Sequence, residues 1–505
     1  MKIKKLIGDF NDSGESLSQR VIKSGFWVFS LKITERAFSL IRLIILARIL
    51  APHDFGLMGI AMLTMATLET FSQTGFQAAL IQKKENTELY LDAAWTIMII
   101  RGFILFTILY FIAPYAAIFF KSPQAKPIIR IIGFSILFQA FTNIGVIYFQ
   151  KELEFNKQFI YQLSGTLADF IVAISAALIL RSVWALVFGL LAGNAVRCFV
   201  SYLIHPYRPH LSSDLGKAKE LFGFGKWVLG SSILVFLITQ GDDIFVGKLL
   251  GTTALGFYQL AYRISNMPAT EITHVISQVT FPAYSKLQDN IPKLREAYLK
   301  VLQVTAFLSF PIAGLIFVLA PDFTKIFLGE KWMPMVPAMM ILCVFGVARS
   351  LGATNGSLFN GSANPKFNTK IAFIKLILLA ILIYPLTKKW GIVGTSLATT
   401  LPVFASQSYG FFKVSKILQC KLRNFLLPFS IPIIGVVLML PLSYTIKNLL
   451  LPDILIFTID IIIGTTIYLA FTFYVSKYYK NYYDVIKTMR EIIKGLRQNN
   501  KEMIR

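Results

Sequence analysis

Apolar and polar positions alternate along this chain in long blocks. Fourteen apolar stretches are predicted as helices over residues 24–50, 55–81, 91–120, 127–149, 158–180, 183–204, 221–250, 253–282, 298–328, 334–362, 367–387, 390–412, 424–446 and 454–476. Helices of roughly 18 to 28 residues cross a hydrocarbon core about 30 Å thick. The polar gaps between them are short, so no separate soluble domain fits, and enzymes with a detached catalytic lobe are excluded. An all-α polytopic membrane protein is predicted. The polar opening lacks a short apolar run followed by a small-residue cleavage site, so the first helix is expected to be its own insertion signal.

Composition agrees with that pattern: of 505 residues, 55% are hydrophobic and only 15% charged, where a soluble domain keeps about 25% charged. The net charge of +24 changes the picture only once it is divided by side. With the N-terminus in the cytoplasm, predicted cytoplasmic segments hold 30 basic residues and the opposite side 10. Lys and Arg collect on cytoplasmic loops, where they also meet anionic lipid. Both termini are therefore expected inside, and nucleic acid is not an expected partner. Ten basic residues remain within helices: Lys32, Arg36, Arg42, Arg101, Arg130, Arg197, Lys226, Arg263, Arg349 and Lys375. Each costs about 2.5–3.5 kcal/mol at mid-helix on insertion scales, which favours a watery cavity or a counter-charge.

The chain also repeats. Residues 25–61 laid on 225–261 without gaps match at Gly25/Gly225, Trp27/Trp227, Val28/Val228, Ile33/Ile233, Ile44/Ile244, Leu50/Leu250, Gly56/Gly256 and Ala61/Ala261. The first helix thus corresponds to the seventh, with the same direction of entry, which predicts two parallel six-helix lobes around a central site. The expected division is a cytoplasmic segment 1–23, an N-lobe 24–204, a linker 205–220, a C-lobe 221–412, an added helix pair 413–476 and a tail 477–505. In the tail Val485, Ile486, Met489, Ile492, Ile493 and Leu496 form an apolar stripe opposite Lys487, Arg490, Lys494 and Arg497. That pattern predicts a basic amphipathic helix on the cytoplasmic leaflet, with docking of a partner protein as the alternative.

On the first helix Lys32, Glu35, Arg36 and Arg42 share one arc of about 120° at about 100° per residue. A charged arc faces a cavity or another helix; the alternative to a cavity is a salt-bridged seam using Glu35. Arg42 and Asp242 are equivalent under the repeat, so they either meet as a gate or are solvated near the external mouth. Arg263, Arg101, Arg349 and Lys375 lie too deep to snorkel easily, whereas Arg130 and Arg197 lie nearer helix ends. Glu35, Glu69, Asp169, Asp242, Asp243, Glu271 and Asp460 are the intramembrane acids. An acid there can carry a coupling proton or sodium ion, or neutralise an Arg. Only His274 of four histidines is within a helix, and Cys198, Cys343 and Cys420 fall in separate segments. No metal site, disulfide framework, phosphate loop, nucleophile motif or cofactor is expected. Pro268, Pro311 and Pro402 are expected to kink their helices.

The stretch LARILAPHDFGLMGIAMLTMATLETFSQTGFQAALIQ (46–82) resembles the opening signature of bacterial polysaccharide exporters. These are the Wzx-type oligosaccharide flippases of the multidrug/oligosaccharidyl-lipid/polysaccharide (MOP) superfamily. GDDIFVGKLLGTTALGFYQLAYRI (241–264) is similar to their second-lobe counterpart. The resemblance implies a V-shaped pair of lobes with a cationic central cavity. It implies alternating access in the bacterial inner membrane, turning an undecaprenyl-diphosphate-linked oligosaccharide from the cytoplasmic to the periplasmic leaflet. Partners would be that glycolipid, membrane lipids and a polysaccharide polymerase or assembly complex; the glycan would serve surface O-antigen, capsule or exopolysaccharide. Family cavities carry basic residues on helices 1, 2, 7 and 8, matched here by Lys32, Arg36, Arg42 and Arg263, with Arg101, Arg349 and Lys375 as further candidates. Helix 2 departs, its only mid-membrane charge being Glu69. Glu35, Glu69, Asp242, Asp243 and Glu271 are candidates for counter-charge, gating or ion coupling. The rival readings are a drug/cation antiporter of the same fold, which wants an acidic or apolar cavity, and a glycan polymerase or acyltransferase, which wants a large external loop or a His-based site.

Overall fold

The computed structural model describes residues 17–72, 88–152, 154–212, 215–447 and 452–478. The amphipathic stripe expected within 477–505 lies outside them from residue 479 onward, as does the polar gap around residues 83 and 84. Among the described residues every element is helical. Helices α1 (Leu17–Ile49), α2 (Pro52–Phe71), α3 (Glu88–Phe119), α4 (Ala125–Phe141), α5 (Phe155–Leu180) and α6 (Trp184–Ile204) are followed by α7 (Leu215–Leu250), α8 (Thr252–Leu287), α9 (Ile291–Phe323) and α10 (Val336–Gly361). Next, α11 and α12 form one run, Lys366–Ile417, and α13 (Leu426–Lys447) and α14 (Asp453–Tyr478) close the series. Fourteen helical segments thus correspond one to one with the fourteen predicted. Eight of the runs are each long and apolar enough to cross a membrane. The chain is an all-α polytopic membrane protein.

The lipid-facing surface shows why. Phe111, Ile118, Ile179 and Leu203 are exposed, an arrangement that hydrocarbon accepts and water penalises. Buried positions instead hold small residues that let helices approach. On α6, Gly189 and Gly193 face Ala173, Asp169 and Gly165 of α5; a Cβ at Gly193 would lie 2.9 Å from the Gly165 carbonyl oxygen. This is the small-xxx-small contact by which membrane helices pack closely.

Several predicted boundaries move, each for a local reason. Helices α1, α7, α8 and α9 overrun their apolar stretches into polar sequence, because hydropathy marks only the part inside lipid. The helix predicted over 127–149 breaks: α4 ends at Phe141 and a 3-10 turn (Ile144–Val146) leads into Ile147–Lys151, bent by 71°. Asn143 makes the break, its Oδ1 accepting from the Gly145 N–H at 2.9 Å and its Nδ2 donating to the Tyr207 carbonyl at 2.7 Å. Between α11 and α12 the run turns at Gly391, with φ 59° and ψ −137°, a conformation open to glycine and costly to other residues.

The chain forms two compact units. One comprises the described residues up to Leu237 with Gly251–Thr253; the other takes Ile238–Leu250 and the described residues from Ala254 onward. The division therefore falls inside α7, beyond the linker expected at 205–220. The helix breaks after Ile49 and after Leu250 keep the register of the sequence repeat. In the first unit Leu46, Leu50, Ala173, Ala177, Ala185 and Leu186 form a core where α1, α5 and α6 meet. In the second, Tyr284, Tyr298, Leu358, Phe359, Leu418 and Phe425 form the larger core. The added pair α13–α14 belongs to this second unit and packs on α9, where the Tyr468 hydroxyl donates to the Phe307 carbonyl at 2.9 Å.

Candidate functional site

The charged arc of α1 is turned toward α5 and α6. Lys32 and Glu35 line a cleft of about 270 Å³ with Leu31 and with Phe155, Gln158 and Gln162 of α5. Arg197, Arg36 and Lys32 are the electrostatic neighbours of Glu35, and Arg36 is exposed. One turn and a half further on, Arg42 Nη2 donates to Asp169 Oδ1 at 2.9 Å, with side chains 19% and 26% exposed. The partner of Arg42 is thus an α5 acid, and the seam anticipated with Glu35 alone uses Asp169 as well. Arg197, expected to snorkel, instead lies across Gly165 of α5, its Nη2 directed at Thr166 Oγ1 at 3.4 Å. Glycine at 165 makes room for it.

The second unit holds a buried polar cluster built from five helices. Asp242 on α7 is 3% exposed and its Oδ2 accepts from the buried Tyr258 hydroxyl of α8 at 2.6 Å. Its other oxygen, Oδ1, is buried with no hydrogen-bond partner among the described residues. Asp243 Oδ2 accepts from Gln259 Nε2 at 3.0 Å. Lys375 of α11 feels the charges of Asp242 and of Arg349 on α10, and its ammonium lies 5.2 Å from the Phe345 ring centre. Arg349 Nη1 is directed at Thr270 Oγ1 of α8 at 3.4 Å, and Thr399 of α12 adjoins Tyr258. Asp242, Asp243, Lys375 and Arg349 are therefore brought together. Arg42 and Asp242, equivalent in the repeat, each have a partner inside their own unit.

The remaining candidates disperse. Arg101 donates through Nε to the Ser72 carbonyl at 2.9 Å and through Nη2 to Ser72 Oγ at 2.8 Å and the Glu69 carbonyl at 3.3 Å. It thereby caps the carbonyl end of α2, the place where a cation is favoured, and Glu69 lies beside it. Arg263 is exposed on α8 and Glu271 half-buried. Arg130 lies 4.2 Å over the Tyr110 ring centre. His274 is exposed, 3.1 Å from Gln278, and the three cysteines are free thiols. Among the described residues no group of His, Cys, Asp and Glu has metal-holding geometry. The side chain of Lys226 lies outside the described ones.

Over residues 45–337 the chain matches the family described as polysaccharide biosynthesis protein. The chain belongs to that family. That match agrees with the resemblance to polysaccharide exporters read from stretches 46–82 and 241–264. It is 27% identical over 420 residues to the lipopolysaccharide biosynthesis protein WzxC of Escherichia coli (strain K12), covering 83% of this chain and 85% of the relative. The teichuronic acid biosynthesis protein TuaB of Bacillus subtilis (strain 168) is 29% identical over 56% of this chain and 59% of its own. Among solved structures, the lipid II flippase MurJ in an inward closed conformation superposes with a TM-score of 0.74 at 16% identity, over 91% of this chain and 99% of that one. An inward-facing multidrug resistance MATE family transporter of the MOP superfamily superposes at 0.58, with 15% identity, over 76% and 96%. At these identities the superpositions establish the shared fold.

Within this polysaccharide biosynthesis family member, sequence reasoning had no route to Tyr258, Gln259, Gln158 or Gln162. Uncharged polar side chains carry no insertion penalty large enough to mark them. Asp169 was visible as an intramembrane acid; only the fold joins it to Arg42.

Proposed function

We propose that this chain flips a lipid-linked oligosaccharide, carried on undecaprenyl diphosphate, from the cytoplasmic to the periplasmic leaflet of the bacterial inner membrane by alternating access. Both termini are cytoplasmic in this reading, and the glycan is destined for a surface polysaccharide. The supporting observation is a set of cations placed within helices of a polysaccharide biosynthesis family member. Arg36 on α1 and Arg263 on α8 are exposed at positions inside predicted spans. A guanidinium suits a lipid diphosphate because it meets phosphate oxygens in bidentate geometry. Flipping breaks no bond, so no nucleophile or acid–base pair is required, and the chain is a transporter and not an enzyme. Membrane lipids and a polysaccharide polymerase are its proposed partners. The Asp242–Lys375 cluster is proposed to link the cycle to a proton or sodium gradient.

The test is the leaflet distribution of lipid-linked glycan in cells lacking this gene. Cytoplasmic accumulation restored by the wild-type chain, but not by Arg36→Ala or Arg263→Ala at equal membrane abundance, is the expected result. Glycan reaching the outer leaflet with no substitute transporter would overturn the proposal. A drug/cation antiporter predicts the reverse dependence, on exposed acids.

A further inference from the structure

The cleft between α1 and α5 has a chemistry unlike that of a phosphate site. Its polar lining is one cation, one carboxylate and two neutral amides: Lys32, Glu35, Gln158 and Gln162. A diphosphate entering it would meet the Glu35 carboxylate beside Lys32, with Arg36 and Arg197 acting on Glu35 from outside the lining, and the amides add no net charge. A pyranose ring, by contrast, presents hydroxyls that are both donors and acceptors. A primary amide offers an acceptor and a donor side by side in one plane, a spacing that adjacent ring hydroxyls match. Gln158 Oε1 is buried and has no hydrogen-bond partner among the described residues. An acceptor held away from water and left unmatched is costly, so this atom favours a hydroxyl donor from outside the chain. Glu35 supplies a second acceptor and Lys32 donors. Phe155, in the same lining, offers an apolar face to the C–H side of a sugar. The volume of about 270 Å³ lies at the small end for ligand clefts, about 300–1,000 Å³. It has room for a single sugar ring.

We infer that Lys32, Glu35, Phe155, Gln158 and Gln162 form a subsite for one pyranose ring of the transported glycan, separate from the cations that hold its diphosphate. The inference rests on the flippase reading above. In the proposed orientation the cleft lies toward the cytoplasmic ends of α1 and α5, where a newly built glycolipid would be met. It therefore acts at loading, selecting substrates by their sugar. Trp27, one turn before Leu31, packs edge-on to Phe159 at 5.2 Å and reports on the same helix pair.

The experiment uses the full chain in lipid nanodiscs with two probes: lipid-linked oligosaccharide extracted from the host, and undecaprenyl diphosphate bearing no sugar. Gln158→Leu is expected to weaken the sugar-bearing lipid about 10- to 100-fold, the range for loss of one or two matched hydrogen bonds, and Phe155→Leu, which removes the aromatic face, to weaken it in the same direction, while the bare diphosphate binds as to wild type. Equal loss for both lipids assigns the cleft to the diphosphate and overturns the subsite. Unchanged binding of both also overturns it. If either variant is poorly recovered from membranes, Gln162→Asn, which shortens the amide arm by one methylene, is read in the same way. Wild-type chain that binds neither lipid would instead overturn the flippase reading itself.

Discussion

Removing the carboxylate of Asp169 should loosen the N-terminal unit through a cation it never touches in sequence. Asp169→Ala leaves the Arg42 guanidinium packed between α1 and α5 without its 2.9 Å acceptor, and Arg42 Nε is already buried without a partner. A charge-assisted hydrogen bond contributes about 1.5–3 kcal/mol, and breaking a fully buried pair costs about 3–5 kcal/mol. With the two side chains 19% and 26% exposed, water recovers part of the loss, which places the expected cost near 2 kcal/mol. Asp169→Asn keeps one oxygen for Arg42 and should cost about half as much. Gly189→Ala should reproduce part of the effect without removing either charge, because its new Cβ would lie 2.6 Å from Asp169 Oδ1 and push it off the Arg42 guanidinium. Reversible unfolding in mixed micelles, run as a double-mutant cycle with Arg42→Ala, measures the coupling. Additivity of the two single substitutions within about 0.5 kcal/mol would show that the pair does not hold α1 to α5, and the reasoning would fail.

Three further outcomes are expected. Gly435→Leu drives a side chain into the Tyr468 ring, whose carbons lie 2.8 and 3.0 Å from a Cβ at 435; it should destabilise the α13–α14 pair by about 1–3 kcal/mol, seen as early protease cleavage between α12 and α13, and wild-type resistance would refute it. His205, just beyond α6, packs against Tyr148 and Phe149 and accepts from the Tyr207 N–H; burial, helped by Lys157, holds it below the ordinary histidine value of 6.5. Its neutral form is thus the folded one, so stability is full above about pH 6.5 and falls as pH drops below it; thermal stability measured from pH 7.5 to 5 should lose this slope in His205→Gln. Asp242→Asn preserves an oxygen for Tyr258 and removes the charge facing Lys375, so the chain should fold while transport in vesicles collapses; unchanged response to an imposed pH or sodium gradient would remove the cluster from coupling.

The membrane made much of this fold legible, because each span must satisfy its backbone internally and so announces itself as an apolar run. What escaped is what lipid does not dictate. The overhang of α7 from residue 221 back to Leu215 lies in polar sequence, where helix and loop differ little in composition. The break at Asn143 depends on side-chain bonds to Gly145 and to a carbonyl 64 residues away. For the candidate site the same division holds. Depth in a helix marks the costly charges, but depth alone does not say which neighbours each one meets. Arg101 and Arg36 looked alike in sequence; the fold sets Arg101 against the end of α2 and places Arg36, which is exposed, near Glu35. Arg42 and Arg101 are tied to neighbouring helices, Asp242, Lys375 and Arg349 gather into one buried cluster, and the exposure of Arg36 and Arg263 makes them the cations to test first.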